Sequence, residues 1–291
     1  MIGYKISYKD LKARVDAHSP SWMARASTRT AGFISAGKYE ETASIWSEIK
    51  SVYMRLQGEG KCIFCERKLE SEQYGKGEQD VEHFRPKGRV RAWKVPASLK
   101  AQGVKITNPG LAASGYYRLP YHLFNYGVAC KPCNSALKSD CFPIARTYDF
   151  DGDDPDALLS ELPLLIYPIG DFDNNPEDLI EFAGASPHPI QVSGYGRDRA
   201  QTTIEFFALA DTDARKNLFR ERAIILIALW GQLEAAKSST NTKAVEAVRA
   251  FQSENSAHAN CARSFVRLYK ANRSAAEGHF NAALDFVIAS S

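Results

Sequence analysis

Between residues 39 and 56, apolar side chains fall at Tyr39, Ala43, Trp46, Ile49, Val52, Tyr53 and Leu56. Steps of three and four place them on one face of an amphipathic helix, and the GEGK run at 58–61 stops it. Residues 1–60 therefore read as mainly helical. The helical period is lost over 61–150, which is rich in Gly, Pro, Tyr and Cys. Short strands and turns fit better there: loops over 71–79 and 96–114, with the strand-like DVEHF between them. Over 151–196, two Asp-rich turns bracket the apolar LPLLIYPI. Neither turn has the spacing of a calcium loop. Helical patterning returns over 197–291, with candidates at 203–210, 211–237, 242–268 and 274–288. Asp213 is placed to cap one of them, and SSTNT separates two. Four segments result: an N-terminal helical segment (1–60), an irregular core (61–150), an acidic connector (151–196) and a C-terminal helical bundle (197–291). No 20–50-residue repeat is visible.

Composition narrows the class. The 291 residues are 44% hydrophobic and 24% charged, which suits a globular chain and excludes a disordered one. The longest apolar run, AIILIALW at 223–230, is far short of the ~20 residues that span a bilayer. The first 20 residues show no secretory h-region. A soluble cytoplasmic protein without a membrane partner is the expectation. The net charge of +3 conceals an asymmetry. Residues 1–150 carry 24 Lys/Arg against 14 Asp/Glu, and residues 151–291 carry 13 against 20. A basic front half points to a polyanionic partner such as nucleic acid. The stretch 151–196 has ten acidic residues and no Lys or Arg, which raises the expectation that it lies over the basic segment and masks it.

Two Cys-x-x-Cys pairs stand out, Cys62/Cys65 and Cys130/Cys133, with 64 residues between them. Each can present two thiolates from one tight turn, and two such knuckles make a tetrahedral four-sulfur site for structural Zn2+. A closed site of this kind leaves no position for chemistry. It would staple 61–68 to 129–140. Cys141 and Cys261 are left as small buried hydrophobes.

Around these knuckles lie Glu82-His83-Phe84-Arg85-Pro86-Lys87, Asn125, Cys133-Asn134 with Lys138 four residues on, and Phe142-Pro143. In this order the residues resemble the zinc-stapled, four-cysteine branch of the HNH endonucleases (ββα-metal or His-Me finger). Within that branch they resemble the nucleases of bacterial anti-phage, Septu- and retron-type defence systems. PLLIYP at 163–168 and TIEFFAL at 203–209 extend a looser likeness into the tail. The resemblance implies an α+β, mainly α fold: a small zinc-stapled ββα-metal finger embedded between the two helical segments. It implies His83 as general base, Glu82 and Asn134 as ligands of a catalytic divalent metal, and Asn125 as the residue that orients the finger and the histidine. The family more often has Asp at the position of Glu82, and many relatives have His at that of Asn134. An all-oxygen set suits Mg2+ or Mn2+. A histidine with a pKa near 6.5 can serve as base at neutral pH. Arg85 and Lys87 would hold the scissile phosphate and Lys138 a neighbouring one. Arg89, Arg91 and Lys94 follow, with Trp93 among them. His122, three residues before Asn125, is a competitor for a role. The resemblance further implies nucleic acid as the substrate, DNA first with RNA the alternative, and an ATPase partner subunit. The competing reading is a non-catalytic zinc-ribbon subunit that binds nucleic acid or assembles a complex, in which Glu82 and His83 would be dispensable.

Overall fold

The computed structural model describes residues 1–110, 114–238 and 240–290. Residues 111–113 of the expected 96–114 loop and Ser239 of SSTNT lie outside the described residues. The fold is α+β and mainly helical, with two small antiparallel sheets. Helices α1 (Tyr8–His18), α2 (Trp22–Ala36) and α3 (Lys50–Leu56) come first. Ser7 caps α1, its Oγ accepting from Asp10 N at 3.1 Å. Strand β1 (Gln79–His83), a short α4 (Ala97–Ala101) and strand β2 (Tyr126–Cys130) follow. The hairpin of β3 (Ile180–Ala183) and β4 (Ser186–Pro189) leads to α5 (Gly194–Phe206), α6 (Lys216–Ala235), α7 (Thr242–Phe251), α8 (Ala259–Ala271) and α9 (Arg273–Ala289).

Three expectations need correction. The helix over 39–56 shortens to a 3-10 turn at Trp46–Ile49 followed by α3. Tertiary contacts claim the preceding residues: Glu41 accepts from the Tyr121 hydroxyl at 2.6 and 2.7 Å and pairs with Arg29. The helix expected over 242–268 breaks into α7 and α8, and His258 takes a left-handed φ of 53° just before α8. Asp213 caps nothing; Asp211 Oδ1 accepts from Asp213 N and Ala214 N, and α6 starts at Lys216. Asn241 does cap α7, accepting from Ala244 N at 3.1 Å.

One continuous apolar core draws residues from all four segments, among them Trp22, Tyr53, Phe64, Tyr126, Ile166, Phe207 and Phe265. The acidic connector is part of it through Leu165, Ile166, Tyr167 and Ile169. Cys141 and Cys261 are buried and free. Among the described residues, no helix is long and apolar enough to cross a membrane.

The β1–β2 pair organises the middle of the chain. Its register sets Gln79 opposite Cys130, Glu82 opposite Gly127 and His83 opposite Tyr126. Strand β2 is buried along its whole length, so its outer backbone groups need partners inside the protein. The first Cys-x-x-Cys turn supplies one, Ile63 N donating to Val128 O at 3.0 Å. The buried Gln57 amide adds more: it donates to Val128 O at 2.9 Å and accepts from Val128 N at 2.7 Å. Gly127 lets the Ile63 side chain pack against the strand: a Cβ there would lie 2.2 Å from Ile63 Cδ1, and that side chain would have to shift. A π-helical segment, Pro132–Lys138, follows β2. Single π turns of this kind are rare and concentrate at functional sites.

Candidate metal centre and active site

The sulfurs of Cys62, Cys65, Cys130 and Cys133 lie within 4.8 Å of one another, and all four residues are buried. Among the described residues this is the one group of three or more His, Cys, Asp or Glu placed to share a metal ion. A tetrahedral Zn–S bond of ~2.3 Å sets neighbouring sulfurs about 3.8 Å apart. Cys65 Sγ and Cys130 Sγ are 3.8 Å apart. Cys130 N donates to Cys62 Sγ at 3.4 Å, and the Arg215 guanidinium approaches Cys133 Sγ at 3.7 Å. Such donors offset the negative charge of a thiolate cluster. The cluster could hold a metal ion such as zinc.

A cavity of about 980 Å³ is lined by Glu82, His83, Lys87 and Asn134, the last being next to Cys133 of the cluster in the chain. His83 is buried at the end of β1 between Trp46 and Tyr126, with edge-on ring contacts at 4.8 and 5.1 Å. Its Nε2 lies 3.1 Å from Pro120 O. A carbonyl can only accept, so Nε2 carries the proton and Nδ1 keeps the lone pair. Burial, with the Lys87 and Lys138 charges, holds the imidazole pKa well below its ordinary value and keeps the ring neutral. Glu82 is buried too. Burial pushes its carboxyl pKa up, opposed by Lys138. Its Oε1 is paired with the Lys138 ammonium at 2.5 Å. The carboxylate and the Asn134 amide line one cavity and offer oxygen donors of the kind a divalent cation takes, with Lys138 already on one of them.

The chain matches no family model, no curated protein and no solved structure. Function must come from the chemistry of these residues.

Asn125 is buried and grips the chain just beyond His83. Its Oδ1 accepts from Arg85 N at 2.7 Å, while Nδ2 donates to Arg85 O at 3.0 Å and Leu119 O at 3.1 Å. That clasp fixes where β1 ends. Lys87 faces the cavity, its ammonium 4.4 Å from the Trp46 ring centroid, 5.6 Å from that of Tyr39 and 3.5 Å from His83 Nδ1. Of the three basic residues expected at a phosphate, it is the one that lines the cavity.

Arg85 and Lys138 are not so placed. Arg85 is only 2% exposed and pairs with Glu161, while Nη2 donates to Leu158 O at 2.9 Å. Tyr116 donates to both Glu161 oxygens, at 3.0 and 2.9 Å. Arg85 therefore holds the acidic connector to the core and is closed to a phosphate. Glu161→Gln should leave this guanidinium buried without its counter-charge. We expect a loss of about 3–5 kcal/mol in urea unfolding at pH 7. Lys138 is fully buried and contacts Glu82 and the His83 carbonyl, so it cannot grip a neighbouring phosphate from the surface. Arg89, Arg91 and Lys94 are exposed; of these, Arg89 reaches the cavity and is paired with Asp140 at 2.7 Å. None of the cavity-lining residues comes from 151–196, so the acidic stretch does not mask the site.

His122 lies elsewhere, 5.3 Å from the Tyr8 ring and accepting from Phe124 N through Nδ1. Burial pushes its pKa down to about 4, against ~6.5 in an unfolded chain. The unfolded state thus takes up a proton first as pH falls. The contribution of neutral His122 is whole above pH 6.5 and is lost between pH 6.5 and about 4. Urea unfolding at pH 7 and 4.5 should show His122→Gln losing about 2 kcal/mol less than the wild type over that interval.

Four contributors escaped the sequence reading. Trp46 and Tyr39, taken for a helix face, form the wall behind Lys87. The Pro120 carbonyl, which sets the His83 tautomer, has no sequence signal. Arg215 reads as an ordinary surface cation until the fold brings it to Cys133.

Proposed function

We propose that this chain is a metal-dependent endonuclease of HNH type that hydrolyses phosphodiester bonds, with DNA the first substrate to test. The observation that carries the reading is His83: a buried, neutral imidazole whose Nε2 is tied to a backbone carbonyl and whose Nδ1 lone pair stands beside Lys87. Hydrolysis at phosphorus needs a base to take a proton from water and positive charge to meet the developing oxyanions. His83 Nδ1 supplies the base. Glu82 and Asn134 would hold Mg2+ or Mn2+, which supplies Lewis-acid stabilisation of the leaving oxygen. Lys87 meets a non-bridging phosphate oxygen, and Asn125 keeps the base in register. Zinc at the four cysteines has a purely architectural role.

The antiparallel pair β1–β2, followed by a π-helical segment that begins at the second knuckle, supports a finger of the ββα-metal kind. The cavity wall also argues against a purely electrostatic binding module. Lys50, Lys76, Lys87 and Arg89 are balanced there by Glu72, Asp80, Glu82 and Asp140. A role in anti-phage defence and an ATPase partner follow from the family resemblance alone. The test is cleavage of supercoiled plasmid by zinc-loaded protein with Mg2+, with Mn2+ and with neither. Nicking only with a divalent ion supports the reading. Salt-sensitive binding without nicking under any of these conditions supports the zinc-ribbon alternative.

A further inference from the structure

Among the described residues, Lys138 is the one cation that forms an ion pair with the proposed metal ligand Glu82. Its ammonium lies 2.5 Å from Glu82 Oε1 and donates to the His83 carbonyl at 2.9 Å, and the side chain is fully buried. It stands at the last position of Pro132–Lys138, the segment that also carries Cys133 and Asn134. One side chain thus joins the proposed metal ligand, the backbone of the proposed base and the cysteine-anchored segment. Other charges face Glu82 as well: Lys87 lowers its pKa and Asp140 raises it. A lysine ammonium and a divalent ion on one buried carboxylate repel each other, and the effect is strong where water does not screen it.

We infer that Lys138 is an internal cation that competes with the divalent metal for Glu82, and that it sets how tightly the metal binds while it holds the base-bearing end of β1 in place. The inference rests on the nuclease reading of Glu82. It gives opposite signs for two observables. Removing the ammonium leaves Glu82 as a buried carboxylate in need of a cation, so metal affinity rises. It also takes a donor from the His83 carbonyl, so turnover falls. A residue that served only packing would lower both.

The test uses full-length, zinc-loaded protein and reads Mn2+ binding by the electron paramagnetic resonance signal of the free ion. Lys138→Met removes the charge. Lys138→Gln removes it but keeps an amide donor for the carbonyl and guards against misfolding of the first variant. Zinc content and thermal unfolding are measured on both. Glu82→Gln in the wild-type background identifies the Glu82 site. We expect both Lys138 variants to bind Mn2+ at least tenfold more tightly than the wild type, or to bind it where the wild type does not, with slower plasmid cleavage by Lys138→Met. Unchanged or weaker Mn2+ binding in both variants, alongside wild-type binding that Glu82→Gln abolishes, overturns the inference and leaves the nuclease reading standing. Absence of a Glu82-dependent site in every protein overturns both. Loss of zinc by both variants gives Lys138 a purely structural role and overturns the inference as well.

Discussion

Removing the metal from the four-cysteine cluster is expected to abolish cooperative folding of the chain. The cluster does more than join two turns. It fixes the knuckle whose Ile63 pairs with β2, and through β2 it fixes the register that places His83 opposite Tyr126. It also receives Arg215 from the chain just before α6. Structural zinc in small sites is worth about 10–16 kcal/mol at pH 7, whereas a whole domain is stable by only about 5–15 kcal/mol. Four buried thiolates without a metal would also repel one another. Metal analysis should find about one zinc per chain. A strong chelator should remove the sharp thermal transition and open all six buried thiols to a colorimetric reagent, and Cys65→Ser should lose the transition and expose the remaining five. A chain that keeps its transition after complete zinc loss would show that the apolar core holds the fold unaided.

The second large effect is expected from His83→Ala, which should lower phosphodiester cleavage about 10²–10⁴-fold, the usual worth of a positioned general base. Among the described residues, no other histidine lines the cavity. His122 is held against Tyr8 and Phe124 away from the cavity, and His188 and His258 are engaged with Glu181 and Glu221. The variant should fold. His83 contributes ring packing against Trp46 and Tyr126 and one bond to a carbonyl that Tyr126 also contacts. Its loss should cost a few kcal/mol in the core, on the scale of other large-to-small changes. Zinc content and thermal unfolding measured on the same preparation separate the loss of a base from a loss of structure.

How much of this was legible in the sequence varied with the kind of signal. Cys62, Cys65, Cys130 and Cys133 were readable because local spacing decides what a tight turn can present, and the fold brings their sulfurs together. DVEHF was readable as a strand for the same local reason. The helical tail was readable in outline; its interruption at 252–258 falls on the polar run QSENSAH, a break signal that the longer helical pattern on either side obscured. The 39–56 helix failed where long-range partners, Tyr121 and Lys87, claimed Glu41, Tyr39 and Trp46. Arg85 and Lys138 show the limit for basic residues. A motif gives their positions, while only the fold shows that each is already spent on a buried carboxylate, Glu161 or Glu82. The charge split between the two halves was real, yet it did not translate into a mask, since the connector packs through its apolar LPLLIYPI stretch and the Glu161–Arg85 pair.

The account stands most directly on one comparison: plasmid cleavage in Mg2+ or Mn2+ by wild-type protein and by His83→Ala, each confirmed to carry zinc and to melt cooperatively. The account predicts metal-dependent nicking by the wild type and, under the same conditions, a rate at least 100-fold lower for His83→Ala. Equal cleavage by the two folded proteins would contradict it, and would place the base, or the activity itself, elsewhere.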